Sequence, residues 1–315
     1  MTMKKIAALI MAAAMAVLLL AGTAFAEEAA PAEEAPAGGV TVTDMTGREV
    51  TLETPAERVV ALSAADCEIL YAFGAGDLLV GRGEYCDYPE ECLALPVVNS
   101  GAETNIEQIL ALQPDVVIMD TMAQTTEQVE ALQNAGVSVV VTKEAGIEGV
   151  YEAIKLIAAV TGREAEGEQV IQGMKDAFAS LTKVGEGKTI YFEVSPLQWG
   201  LWTAGAGTFM DEIAGMLGLT NAFADVQGWA GISEEQLLSR DPDYIVTTTM
   251  YYGEGPTPVE EIMGRDGWAG LKAIQAGQVF NADSNAITRP GPRLADAALA
   301  LYQFIVEHEA MEPAA

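Results

Sequence analysis

One histidine, His308, and three cysteines, Cys67, Cys86 and Cys92, are the whole stock of imidazole and thiol in this 315-residue chain, and that scarcity narrows its chemistry at once. A Ser-His-Asp or Cys-His arrangement needs an imidazole beside its nucleophile, and no G-x-S-x-G or H-E-x-x-H run occurs. A bare zinc or manganese site of the His-rich kind cannot be assembled from His308 alone. Haem held by histidine is disfavoured for the same reason, while a tyrosine ligand stays open. Acids are abundant, so chemistry by paired carboxylates also stays formally open. What the chain does offer is aromatic side chains in loop-like stretches: Tyr85 and Tyr88, Trp199 and Trp202, Trp229, Tyr251 and Tyr252. Several such rings in loops after strands fit a cleft that accepts a large flat ligand; for Tyr88 and Trp199 the expectation is burial in the core. No cofactor is expected, and any metal handled here should arrive already wrapped in its own chelator.

Two acids stand at matching places in a repeated stretch. Glu107-Gln-Ile-Leu-Ala-Leu-Gln-Pro114-Asp115 runs into Val-Val-Ile, and Glu235-Gln-Leu-Leu-Ser-Arg-Asp-Pro242-Asp243 runs into Tyr-Ile-Val. One unit, a short helix feeding a strand, occurs twice. Asn105 and Ser233 precede the two helices and Gln108 and Gln236 follow three residues later, which is capping-box spacing. With the glutamines placed to cap, Glu107 and Glu235 are free to project outward, one from each copy, beyond merely favouring the positive helix end. A third stretch, Thr203-Ala-Gly205-Ala-Gly207-Thr208-Phe209, opens a helix but lacks the third glycine and the lysine of a phosphate loop. Its glycines are read as a turn or as a close approach of backbone to a ligand.

The elements that must position these residues alternate. Val40 to Leu52 reads as a β-hairpin turning near Gly47, and from Arg58 strands at 59–62, 78–80, 116–119 and 137–141 alternate with helices at 66–73, 105–112, 126–133 and 147–160. This pattern predicts a parallel sheet covered on both faces, with Gly162 as a helix C-cap. The stretch 163–184 then reads as one long helix, with Val170, Ile171, Met174, Phe178, Leu181 and Val184 at three- and four-residue steps, spanning roughly 30 Å. Further strands at 189–194, 244–248 and 279–282 and helices near 208–217, 233–238, 259–263 and 293–307 make a second α/β lobe. The organisation expected is an N-terminal lobe at 40–162, a bridging helix at 163–184 and a C-terminal lobe at 185–315, with the ligand between the lobes.

Residues 1–26 have a lysine-bearing start, an apolar run from Ile6 to Leu20 and the exit Ala24-Phe25-Ala26, the pattern of a cleaved export signal. Residues 27–39 read as a flexible acidic linker. The first 26 residues hold two of the 16 basic residues and no acid, leaving 14 bases against 46 acids and a formal charge of −32. Such a chain should avoid nucleic acid and anionic membranes, while a cation, a neutral chelate or a basic partner remains compatible. In an exported protein Cys86 and Cys92 could form a disulfide; a pair of free thiols is the other reading.

From Val40 to Glu307 the chain resembles the iron-chelate and cobalamin group of substrate-binding proteins of bacterial ABC importers. The resembling text is T-V-T-D-x-x-G-R-x-V-T-L at 41–52, E-R-V-V-A-L at 57–62, Y-x-D-Y-P at 85–89, N-I-E-Q-I-L at 105–110, S-E-E-Q-L-L at 233–238 and R-P-G-P-R-L at 289–294. The resemblance implies a class III periplasmic binding protein, two Rossmann-like α/β lobes bridged by one long helix. It implies a monomeric receptor, not an enzyme, that captures a corrinoid or a ferric siderophore and delivers it to the permease subunits of an importer; a haem receptor of the same family is the alternative. In the family one acid per lobe docks onto arginines of the permease, and Glu107 and Glu235 match those positions. Aromatics at places similar to Tyr85 and Trp229 touch the corrin in cobalamin-binding members, and the place of Arg289 lies at the cleft; Trp202 and Tyr251 join the candidate ligand residues. The departure is at Leu20-Ala21-Gly22, which is followed by Thr23 where a lipid-anchored member has cysteine, so a soluble exported protein is expected.

Overall fold

The structure, a computed structural model, describes residues 38–101, 104–121 and 125–309. The expected export signal and most of the acidic linker lie outside these residues. Strands β1 (Val40–Thr43) and β2 (Glu49–Leu52) form the expected antiparallel hairpin, and Gly47 takes the turn at φ 87°, a conformation open to glycine at little cost. Asp44 fastens it: its carboxylate accepts from the Thr46 and Arg48 backbone N–H groups at 3.0 Å each and from Val141 N at 3.2 Å. The hairpin is thereby pinned to the edge of the first sheet.

That sheet is parallel, in the order β5-β4-β3-β6-β7, built from β3 (Val59–Ala61), β4 (Leu79–Gly83), β5 (Val97–Val98), β6 (Val116–Asp120) and β7 (Ser138–Thr142). Val59 to Ala61 and Val116 to Met119 are wholly buried, the continuous apolar run that a sheet covered on both faces demands. Helices α1 (Ala64–Ala72), α2 (Ile106–Ala111), α3 (Thr126–Asn134) and α4 (Ile147–Thr161) connect and cover it. Gly162 ends α4 in the left-handed conformation, φ 67°, as the C-cap expectation required.

In the second lobe β8 (Thr189–Ser195), β10 (Thr220–Asn221), β12 (Tyr244–Thr247) and β13 (Val279–Asn281) are parallel. Two further strands, β9 (Trp202–Ala204) and β11 (Trp229–Gly231), extend the sheet antiparallel. They are three residues each, too short to show an alternation in sequence, and were not expected. The covering helices are α6 (Phe209–Met216), α7 (Glu234–Arg240), α8 (Pro258–Met263), α9 (Lys272–Ala276), α10 (Ser284–Thr288) and α11 (Leu294–Glu309).

The repeated unit is the same structure twice. Gln113 and Asp241, at matching places, are the non-glycine residues with positive φ among the described residues, 48° and 47°. Each bends the chain so that the Pro-Asp that follows enters a strand. Asp115 Oδ2 then accepts from Glu57 N and Arg58 N at 2.9 and 2.8 Å, and Asp243 Oδ2 from Thr189 N and Oγ1 at 2.8 and 2.9 Å. In both lobes the aspartate clamps the start of the neighbouring strand. The caps differ. Ser233 and Gln236 form the full capping box on α7, whereas on α2 Asn105 caps Gln108 N but the Gln108 side chain reaches Asn99 N instead.

The bridging helix is shorter than the sequence suggests. Helix α5 occupies Glu164–Ala179, roughly 24 Å long, and not 163–184. Ser180 turns its hydroxyl back on Ala177 O at 2.6 Å, and Val184 N bonds Thr182 O at 2.8 Å, tightening the chain out of the helix. Leu181 and Val184 keep the apolar spacing because they still pack on the core from the turn that follows. Helix α5 buries Ile171, Met174 and Phe178 and packs between α4 and α11, so the bridge is a layer of helices. Within this layer a Cβ on Gly167 would stand 2.6 Å from Ala158 Cβ on α4, so this glycine permits close helix packing. Gly173 faces open space. Gly167→Ala should therefore cost about 1–3 kcal/mol by overpacking, while Gly173→Ala should be neutral or stabilise by up to about 1 kcal/mol; guanidinium denaturation of both variants checks this, and equal effects would contradict the packing.

Candidate functional site

In open α/β sheets ligands bind beyond the carboxyl ends of the strands, and there the second lobe has a hollow of about 600 Å³. Its walls are Val194 and Ser195 at the end of β8, Thr248 to Met250 after β12, and Ser284 and Thr288 on α10, with Trp199 and Tyr252 at the mouth. Trp199 and Tyr252 are 77% and 84% exposed, large rings left in water with an apolar hollow beside them. The adjoining surface, lined by Tyr251, Leu197, Pro256 and Pro258, continues the apolar wall.

The first lobe presents the loop after β4 to this side. Tyr85, 72% exposed, projects from it, and Asp87 beyond it meets Asn285 of α10 at 3.4 Å. Arg289, following α10, gives Nη1 to Glu68 Oε1 at 2.8 Å and to Asp87 Oδ1 at 2.6 Å, and Nη2 to the Tyr85 carbonyl at 3.2 Å. Arg293 grips Glu68 with Nε and Nη2, both at 2.7 Å, and stacks 4.0 Å over the Tyr88 ring. Burial works against the charge of Asp87, but the Arg289 hydrogen bond and charge outweigh it and hold this carboxyl below the usual aspartate range.

Several site expectations change with this geometry. Trp199 and Tyr88 are not core residues: both stand in connecting segments, 77% and 46% exposed, Tyr88 with the Arg293 guanidinium against its ring. Arg289, placed at the cleft by the resemblance, has three of its five donors taken by Glu68, Asp87 and Tyr85 O. Trp202 pairs with Ser195 at the carboxyl end of β8, beside the hollow. Trp229 lies on the same face of the β9–β11 pair, its ring 5.4 Å from that of Phe209. Among the residues that line the hollow, Gln198, Met250, Ser284 and Thr288 went unforeseen, since nothing but their place at strand ends marks them. His308 is on α11 with Nδ1 2.8 Å from Phe304 O, away from the hollow. Glu107 and Glu235 each stand second in their helix, exposed, with no hydrogen bond or ion pair among the described residues.

A family of periplasmic binding proteins matches residues 59–286. The chain belongs to that family. It is 30% identical over 304 residues to an uncharacterized ABC transporter substrate-binding lipoprotein of Bacillus subtilis, covering 93% of this chain and 94% of that one. It is 28% identical over 245 residues to a vitamin B12-binding protein of Vibrio cholerae, covering 77% and 87%. The crystal structure of a periplasmic vitamin B12 binding protein of Vibrio cholerae superposes with a TM-score of 0.64 at 26% identity, over 81% of this chain and 98% of that one. The architecture is that of a class III periplasmic binding protein, and among the described residues no helix is long and apolar enough to cross a membrane.

All three cysteines of this binding protein are free and buried. Cys92 Sγ faces the Cys86 carbonyl at 3.3 Å and Cys86 Sγ faces Ser63 O at 3.2 Å, so the disulfide considered for this pair is not formed. The neighbouring Cys86 thiol and then burial push the Cys67 thiol up. At the carboxyl ends of β3, β6 and β7, buried Asp66 accepts from Ser63 Oγ at 2.7 Å and Thr142 Oγ1 at 3.1 Å. Burial, with the charge of Asp120, raises Asp66 from 3.8 to about 7; burial, with the charge of Asp66, raises Glu144 from 4.5 to about 9. Both folded values lie above the unfolded ones, so the stability these protons supply is complete below about pH 4 and is lost as pH rises through 7 and 9. The melting temperature should fall between pH 5 and 8, and Asp66→Asn should flatten that fall by on the order of 1 kcal/mol, roughly 2–4 °C. Calorimetric scans across this range check it; a parallel fall in both proteins would refute it.

Proposed function

We propose that the chain is an exported receptor that takes a metal chelate, a corrinoid ahead of a ferric siderophore, into the gap between its lobes and delivers it to the permease subunits of an ABC importer. The observation that carries this reading is the apolar hollow at the carboxyl ends of the second sheet, walled by Trp199, Met250 and Tyr252, with Tyr85 presented from the other lobe. Aromatic faces of this kind suit a flat, largely apolar macrocycle, each contributing on the order of 1 kcal/mol beyond area burial. The vitamin B12-binding relatives support the corrinoid choice. Tyr251 and Trp202 extend the same wall, and Trp229 the β11 side. The protein holds no cofactor of its own, leaves the ligand unchanged, works as a monomer without nucleic acid, and is soluble after cleavage near Ala26. Thr23, where a lipid-anchored relative needs cysteine, agrees with that last point.

Titration of the mature protein with cobalamin, its base-lacking precursor cobinamide, haem and ferric siderophores, followed by tryptophan emission and heat, should give one saturable corrinoid site. Trp199→Ala should weaken it about tenfold or more; binding of a siderophore or haem alone would reassign the ligand. Glu107→Ala or Glu235→Ala should cost a few kcal/mol in binding to the permease, partly through the arginine left unpaired, with ligand affinity little changed. Pull-down on importer-containing nanodiscs measures it, and equal losses of ligand affinity would place these acids in the cleft.

A further inference from the structure

The guanidinium groups at the seam between the lobes are already matched by carboxylates, and this bears on the charge of what the cleft accepts. Arg289 and Arg293 face Glu68, Asp87 and, at 3.8 Å from Arg293 Nη1, Asp283: two cations against three anions. Three other arginines near the strand ends are engaged as well. Arg48 is bound to Asp44 and to Val139 O, buried Arg82 gives Nη1 to Gly83 O and Cys86 O, and Arg265 is held by Glu193 and Glu261. Lys143, exposed just after the carboxyl end of β7, has its backbone N–H against Met45 Sδ, and its ammonium is the cation on the first-lobe side that faces the acids there. On the first-lobe side Asp120 adds acid, while burial keeps Glu144 protonated and Asp66 partly so near neutral pH.

The two carboxylates on Arg289 are not equivalent. Glu68, with a side chain 2% exposed, serves both arginines and holds the lobes together. Asp87, 45% exposed, sits on a loop at the rim of the hollow, touching Asn285 between the lining residues Ser284 and Thr288. It covers the part of the guanidinium that an incoming oxyanion would use.

We propose that Asp87 is a specificity-determining residue that turns the cleft against anionic chelates by occupying Arg289, so that the accepted ligand is a neutral or cationic chelate. This rests on the receptor reading above and names its substrate class. A carboxylate, phenolate or catecholate oxygen can reach Nη1 of Arg289 only by displacing Asp87, and meets the remaining acids of the seam when it does. A neutral ligand pays neither cost.

The test compares wild type with Asp87→Asn and Asp87→Ser, each first shown to melt cooperatively, in calorimetric titrations with cyanocobalamin (neutral), aquocobalamin (cationic), haem (two propionates) and a ferric tris-catecholate (trianionic). Wild type should prefer the neutral and cationic chelates. The ratio of anionic to neutral affinity should rise tenfold or more in both variants, and the rise should shrink with added salt. Wild type binding the trianion as tightly as cyanocobalamin, or an unchanged ratio in the variants, would overturn the role of Asp87 and leave the receptor reading standing. No binding of any of the four probes to wild type would overturn both.

Discussion

Two arginines of the second lobe close on one buried carboxylate of the first, and the relation between the lobes depends on that contact. Glu68 accepts three charge-assisted bonds at 2.7–2.8 Å from Arg289 and Arg293. Removing these charges from water is expensive, so the net gain over a hydrophobic contact is small. Losing one partner would cost roughly 3–5 kcal/mol because the other charges stay buried. What the fork adds is direction. An apolar contact tolerates sliding, whereas two guanidinium planes on one carboxylate fix both distance and angle. The loop that bears Tyr85 and Asp87 is thereby registered against α10 on the far side of the cleft.

A second tie across the lobes acts at a helix end. Helix α4 begins at Gly146 with no side-chain cap of its own, and Glu212 of α6 supplies the acceptor, 2.8 Å from Ile147 N. A Cβ on residue 146 would come within 2.4 Å of that carboxylate, so the glycine is what lets the second lobe cap the first. Between the two ties the largest apolar cluster runs without a break from Val59 and Ile118 through Ile154 and Ile171 to Phe192 and Leu301. The lobes thus share packed core on the helical side. Interiors packed in this way do not deform continuously, so the helical side of the seam resists sliding of one lobe on the other.

Much of the frame was legible in the sequence because it is written in local rules. The parallel strands betray themselves as unbroken apolar runs, the hairpin by alternation around Gly47, the end of α4 by Gly162, and the doubled lobe by Pro114-Asp115 and Pro242-Asp243. The site was legible only in part. Tyr251 on the adjoining surface was named, but Met250, Gln198, Ser284 and Thr288 line the hollow through tertiary placement that no periodicity records. Arg289 was recognised by its motif, while its engagement with Glu68 joins residues 221 apart and has no local trace. Leu181 and Val184 misled in the opposite sense: their spacing suits a helix, yet a tight turn packs them equally well. Short strands such as β9 fall below the length at which a period of two can be recognised.

The charge of the chain acquires a division of labour from this arrangement. A formal −30 over the whole sequence produces a field that would attract a basic partner and accelerate its encounter, and Glu107 and Glu235 stand exposed at the starts of α2 and α7. The same field does nothing for a neutral ligand, whose capture then rests on apolar area and shape. An anionic ligand would have been repelled at long range and would have found the seam arginines occupied at short range. On the proposed reading surface acid and the paired seam act in one direction: they would draw the chain toward cationic protein surface while leaving the cleft to recognise its ligand by fit.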